Sequence, residues 1–231
     1  MKAAIRHRHP LAVQNLSGAF VVAVGLVGIL GVASSGTVFA GENEPVPILT
    51  VQVYNYSQAA PAVLTGAERE AGRILGEAGL RAVWLECPVG PSSLMPKGPC
   101  DKELDATDVR LRVLAAPTQH EYQDSVFGFT IHPAFASVYY EYAMRRAKTD
   151  HAESEITIVL GGVIAHELGH LLLGTNGHSR AGIMQPRWEP NQVQQLMMGS
   201  LLFTPEQSKL MREEARTRMR LQAKVSFRKN D

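Results

Sequence analysis

His166, Glu167 and His170 stand in the order His-Glu-x-x-His, within a stretch that is almost wholly apolar before His166 and again from Leu171 to Leu173. On a helix, residues four apart share one face, so both imidazoles would point the same way. Two imidazoles so placed can bind one Zn²⁺. Glu167 directly follows the first of them, where a carboxylate can reach a metal-bound water. Zinc lowers the pKa of that water, and the carboxylate can take its proton. The chemistry implied is metal-dependent hydrolysis, with the peptide bond as the foremost target.

Two histidines leave zinc short of a third protein ligand. Gly174 is placed to end the helix and let the chain turn back. His178 lies just past that turn and is the first choice. In another class of zinc protease the third ligand is a downstream Glu on a helix, for which Glu189, Glu206, Glu213 and Glu214 are the alternatives.

The pair needs a rigid platform. Residues from about Glu155 to Leu173 predict a buried helix, in which Gly161 and Gly162 imply close packing. Upstream, Ile48 to Tyr54 is β-branched and partly alternating, as in a strand. Pro61 can open a helix whose apolar residues (Leu64, Ala67, Ala71, Ile74, Leu75, Ala78) recur at helical spacing, and Gly79 can stop it. Arg81 to Leu85 predicts the next strand, so a crossover unit with parallel strands follows. Val109 to Leu114 alternates cleanly. A short strand is expected around Phe127, and another over Ala136 to Tyr142. Thr175 to Leu202 reads as mostly irregular. Thr204-Pro205-Glu206-Gln207 then announces a last helix by its capping box. The fold class expected is α+β with α/β character: a small twisted mixed sheet, one crossover helix and a buried active-site helix. An irregular segment and a C-terminal helix complete it.

Composition limits the setting. Lys2, Arg6 and Arg8 precede a charge-free apolar stretch near residues 19–33, which ends in small residues at Val38 and Ala40. That is the build of a secretory signal peptide cleaved after Ala40, leaving residues 41–231 as one domain. An uncleaved anchor over residues 19–33 is the alternative. The whole chain has 23 basic and 22 acidic residues. Without the first forty it has 20 and 22, net −2, a balance that argues against nucleic acid as partner. Cys87 and Cys100 flank a Pro/Gly-rich loop, and export makes a disulfide the natural reading.

From His166 to Trp188 the chain resembles the metzincin zinc metalloproteases, and among them the matrixins. That family carries His-Glu-x-x-His-x-x-Gly-x-x-His and then a methionine in a tight turn under the metal. The resemblance implies a zinc endopeptidase that binds one catalytic ion through His166, His170 and His178. Glu167 would be its general base and Met184 its Met-turn residue. It further implies that Pro186-Arg187-Trp188 corresponds to the segment lining the pocket beyond the cut, and that an extended peptide pairs with an edge strand. The spacing departs from the family: glycine falls four residues after His170 rather than three, and His178 eight rather than six.

Weaker signals remain. His120, His132 and His151 lack the tight spacing of a second zinc site, and Asp101, Glu103, Asp105 and Asp108 lack that of a calcium loop. Arg212, Arg216, Arg218, Arg220, Lys224, Arg228 and Lys229 make the last helix basic. This suits its dipole first and an anionic surface second. A non-catalytic, zinc-stabilised secreted binding domain is the rival to the peptidase, although such a domain has no need of Glu167. The expected partner is a peptide or protein substrate, with no membrane span once the signal is cleaved.

Overall fold

The alternating segments assemble into one five-stranded sheet. The computed structural model describes residues 45–90, 98–116, 127–147 and 153–229; the expected signal segment, His120 and His151 lie outside these. The strands are β1 (Ile48–Asn55), β2 (Arg81–Cys87), β3 (Asp108–Leu114), β4 (Gly128–Ile131) and β5 (Phe135–Tyr139), in the order β2-β1-β3-β5-β4. The first four in that order run parallel, and β4 lies antiparallel to β5 at the edge. Parallel neighbours need crossovers, and helix α1 (Pro61–Glu77) supplies the one between β1 and β2. Its stop is as expected, with Gly79 at φ +79°.

Register explains the layers. Leu49, Val51 and Val53 of β1, Val109, Leu111 and Val113 of β3, and Ala136 and Val138 of β5 are all buried. They share the face covered by α1 and by the long helix α3 (Glu153–Leu173). The intervening residues build a polar, aromatic outer face. There the Arg110 guanidinium donates to Gln52 Oε1 at 3.2 and 3.3 Å and lies over Tyr54 and Phe135. Arg112 donates to Ser137 Oγ at 3.0 Å and lies over Phe129.

Helix α3 is long and apolar enough to cross a membrane, with a mean hydropathy of 1.7, yet 83% of that window is buried inside the protein. It is the central core helix. Its glycines serve close packing: a Cβ on Gly161 would stand 2.7 Å from the Ala67 carbonyl oxygen of α1. A Cβ on Gly162 would meet Leu196 and Trp188.

One expectation is corrected. The predicted strand from Ala136 to Tyr142 ends at Tyr139, and Tyr140 opens a short helix, α2 (Tyr140–Arg146). Adjacent Tyr142 and Ala143 are both buried, which a half-buried strand does not allow. The segment after Thr175 is mostly irregular, as expected, with one short helix inside it, α4 (Pro190–Met197). Helix α5 (Pro205–Lys229) follows, with the expected box: Thr204 Oγ1 accepts from Gln207 N–H and Gln207 Oε1 from Thr204 N–H.

The disulfide joins Cys87 to Cys100. The basic residues of α5 are not all free for a surface. Arg218 is only 6% exposed; it pairs with Glu214 and donates to the Leu171 carbonyl at 2.9 Å. Arg212 donates to the Ala78 carbonyl.

Candidate metal centre and catalytic site

Helix α3 delivers His166 and His170 on one face, as their spacing requires, and both are buried. Each ring is fixed by a backbone carbonyl: His166 Nδ1 lies 2.8 Å from Ile183 O, and His170 Nδ1 2.9 Å from Thr175 O. A carbonyl oxygen only accepts, so both Nδ1 atoms carry the hydrogen. In a neutral ring the Nε2 is then bare. Burial keeps the rings neutral: it pushes the His166 pKa down to about 3 and lowers that of His170 as well. The two Nε2 atoms are 3.1 Å apart. Bare nitrogens at that distance repel unless a cation lies between them. The separation is near the edge of a tetrahedron with metal–nitrogen bonds of about 2.0–2.1 Å. Such orientation of metal-binding imidazoles by carbonyls is a recurrent device.

His178 joins them. Helix α3 runs to Leu173, Gly174 adopts φ +66°, and the longer loop returns His178 to the pair despite its shifted spacing. Its ring centroid lies 5.0 Å from that of His170 and 5.4 Å from that of His166. The ligand atoms of all three lie within 4.8 Å of one another. Among the described residues no other group of histidine, cysteine or acidic side chains gathers in this way.

The alternative glutamates do not join it. Glu189 precedes α4, where its N–H bonds Gln192; Glu206 is in the first turn of α5. Glu213 and Glu214 border a different cavity, beside His132 and Leu171. Of the four acids between Asp101 and Asp108, two serve turns, Asp101 accepting from Gly98 N–H and Asp108 from Asp105 N–H.

Glu167 is 3% exposed and lines the same cavity as the three histidines, a space of about 360 Å³. Desolvation pushes its carboxyl up to about 8. The Tyr139 phenol is close enough for the Glu167 charge to help raise its pKa, after burial itself.

The segment beneath the histidines is tightly held. Ile183 N–H bonds Leu202 O, Ser179 N–H bonds Met184 O, and Gly182 turns at φ +71°. Met184 is buried against the helix: a Cβ on Gly169 would come within 2.7 Å of its sulfur. The residue between His-Glu-Leu and His170 must therefore be small.

Pro186 and Arg187 line the cavity, but Trp188 does not. Trp188 is fully buried, and its Nε1–H donates to Ile183 O, the carbonyl that also accepts from His166. It packs against Phe127 at 4.5 Å between centroids. The expectation of a pocket wall is thus corrected to a core anchor, because Gly162 leaves room for the indole behind the site.

Several contributors were not foreseen. Phe127 sets its ring edge-on to His166 at 4.7 Å. Strand β4 forms a second wall through Gly128, Phe129 and Thr130. Gly128 has to be glycine, because a Cβ would overlap the Ser137 carbonyl. Asn176 Oδ1 accepts from Thr130 Oγ1 at 2.8 Å and lies 3.3 Å from His132 Nε2, tying the His178 loop to β4. Gly174 together with the following Thr-Asn-Gly run was the available hint of a structured turn.

Among known proteins, no family model matches the chain. No curated protein matches it either. Solved structures do. One is a zinc-dependent peptidase from Methanocorpusculum labreanum, with TM-score 0.49 and 14% identity, covering 70% of this chain and 99% of that one. Another is an archaemetzincin from Methanopyrus kandleri, with TM-score 0.45 and 15% identity, covering 73% and 96%.

Proposed function

We propose that this protein is an exported zinc-dependent endopeptidase of metzincin, matrixin-like type. The observation that carries the reading is the donor set. Two buried imidazoles present bare Nε2 atoms to one point, a third histidine closes on it, and the Glu167 carboxyl faces the same cavity. His166, His170 and His178 would hold the ion. Bound there, Zn²⁺ would supply Lewis-acid polarisation of a water and of the scissile carbonyl.

The rest of the chemistry falls to the chain's own groups. Glu167 takes the proton of the attacking water and returns it to the leaving amine. Its burial suits both steps, because a desolvated carboxylate holds a proton more strongly than a solvated one. The Ile183 and Thr175 carbonyls keep the imidazoles in the tautomer that a metal needs. Among the described residues strand β4 is paired on one side only, and its other edge can accept an extended peptide by backbone pairing. Met184 underlies the histidines as the Met-turn residue.

Export is proposed from the sequence of residues 1–40 and is supported by the Cys87–Cys100 disulfide, a bond of oxidising compartments. With both cysteines paired, neither serves to block the metal.

The test is Glu167→Gln in the zinc-loaded protein. Zinc content should stay at one per chain while hydrolysis of a mixed peptide library falls by at least about 10²-fold, the usual scale of a positioned acid–base group. Undiminished hydrolysis would end the assignment of Glu167. A wild-type protein that holds zinc and cuts nothing would favour the non-catalytic reading.

A further inference from the structure

Besides the three histidines, two charged residues line the cavity, Glu167 and Arg187. Glu167 belongs to the proposed chemistry. Arg187 has no such role, and among the described residues its guanidinium has no hydrogen bond, ion pair or ring contact. The chain around it is nonetheless fixed. Pro186 limits the backbone before it, and Trp188 after it is wholly buried and bonded to the Ile183 carbonyl that orients His166. A free cation is therefore presented from a braced segment at the wall of the site.

The same anchoring limits what the wall can offer. Trp188 fills the space over Gly162, so no recess extends into the core there. Pro186 and Arg187 are both exposed where they line the cavity. A guanidinium is a planar fork of donors, and the group that matches it is a carboxylate. Among the described residues Glu167 is the only acidic residue of the lining.

The geometry points to Arg187 as the substrate-selecting residue of this site: it receives a carboxylate carried by the peptide close to the bond being cut. This rests on the peptidase reading above. The carboxylate has two possible sources, an Asp or Glu side chain or the free C-terminus of a short peptide.

The test uses one peptide scaffold with Glu, Gln or Lys beside the bond, each with a free or amidated C-terminus. The zinc-loaded wild type should cleave the carboxylate-bearing peptide on the order of 10- to 100-fold faster in kcat/KM than its amide counterpart, mainly through KM. Arg187→Gln should erase that ratio while still cleaving the neutral peptide. Arg187→Glu should turn the preference toward Lys. A ratio that follows Glu against Gln assigns the side chain as source; one that follows amidation assigns the chain end. The same peptides are titrated by fluorescence anisotropy onto Glu167→Gln protein with and without Arg187→Gln, so binding decides the matter without turnover. Equal preference with and without Arg187, in cleavage and binding alike, overturns the inference and leaves the peptidase reading intact. Binding that discriminates without any wild-type cleavage supports Arg187 and sinks the peptidase reading.

Discussion

His178 reaches the metal point from an exposed loop, whereas His166 and His170 are fixed by the core. What steadies the loop is Asn176, two residues earlier, clipped to Thr130 of β4, and Thr175, whose carbonyl holds His170. Loss of His178 should therefore remove a ligand, while loss of Asn176 should only loosen one. We expect His178→Ala to release zinc to a competing chromophoric chelator under conditions where the wild type retains it. Asn176→Ala should weaken zinc about tenfold, the low end for a supporting contact. Wild-type zinc affinity in His178→Ala would remove His178 from the site and reopen the glutamate alternatives. The histidine pair and the buried place of Glu167 beside it were legible in the sequence because a five-residue motif on one helix encodes its own geometry. Asn176, Thr130 and Phe127 were not, because their contacts join distant segments: Asn176 and Thr130 are 46 residues apart, and Phe127 meets Trp188 from farther still. Nothing local to each residue records such a meeting.

Among the elements, α3 governs the site, and its placement depends on how closely α1 can approach. Gly161→Ala would drive a methyl against the Ala67 carbonyl at 2.7 Å and the Glu70 Cβ at 2.6 Å, neither of which yields easily. Gly162→Ala meets the two Leu196 methyls at 2.8 Å, the far end of a flexible side chain, and the edge of the buried Trp188 ring at 3.1 Å. Both changes gain about 1 kcal/mol of helix propensity. Overpacking costs about 1–3 kcal/mol, so both variants should lose stability in urea denaturation, and Gly161→Ala, which meets backbone, should lose more than Gly162→Ala. Equal stability of Gly161→Ala and wild type would mean the helices do not pack this tightly. Periodicity revealed α1, α3 and the central strands because their burial is one-sided or complete. It failed at α2, where Tyr140-Glu141-Tyr142 continues the alternation of β5 although the chain turns helical. It did not pick out α4, whose apolar stripe is only Val193, Leu196 and Met197, little more than one turn. The Glu189-Pro190 start, a proline at the first helical position, was the signal passed over.

For the molecule as a whole, stability should depend on pH through a residue far from the histidines in sequence. Glu68 of α1 is buried, and its Oε1 has no hydrogen-bond partner. Desolvation, with help from the charge of Glu86 on β2, pushes its carboxyl from 4.5 up to about 7. The folded state thus binds more protons than the unfolded state between those values. The contribution of Glu68 to stability is fully present below about pH 4.5 and is lost as pH rises through 7. Glu68→Gln removes the ionisation while keeping the shape. The variant should match the wild type near pH 5 and exceed it at pH 8 by on the order of 1–2 kcal/mol. Chemical denaturation at the two pH values measures this, with the disulfide intact in both proteins so that the roughly 3 kcal/mol expected from closing a loop of this size cancels. The histidines titrate in both proteins, so the difference between the two curves isolates Glu68. Parallel curves across that range would show that water or a partner group solvates the Glu68 carboxylate in solution, and that α1 sits less tightly on the sheet than its burial implies.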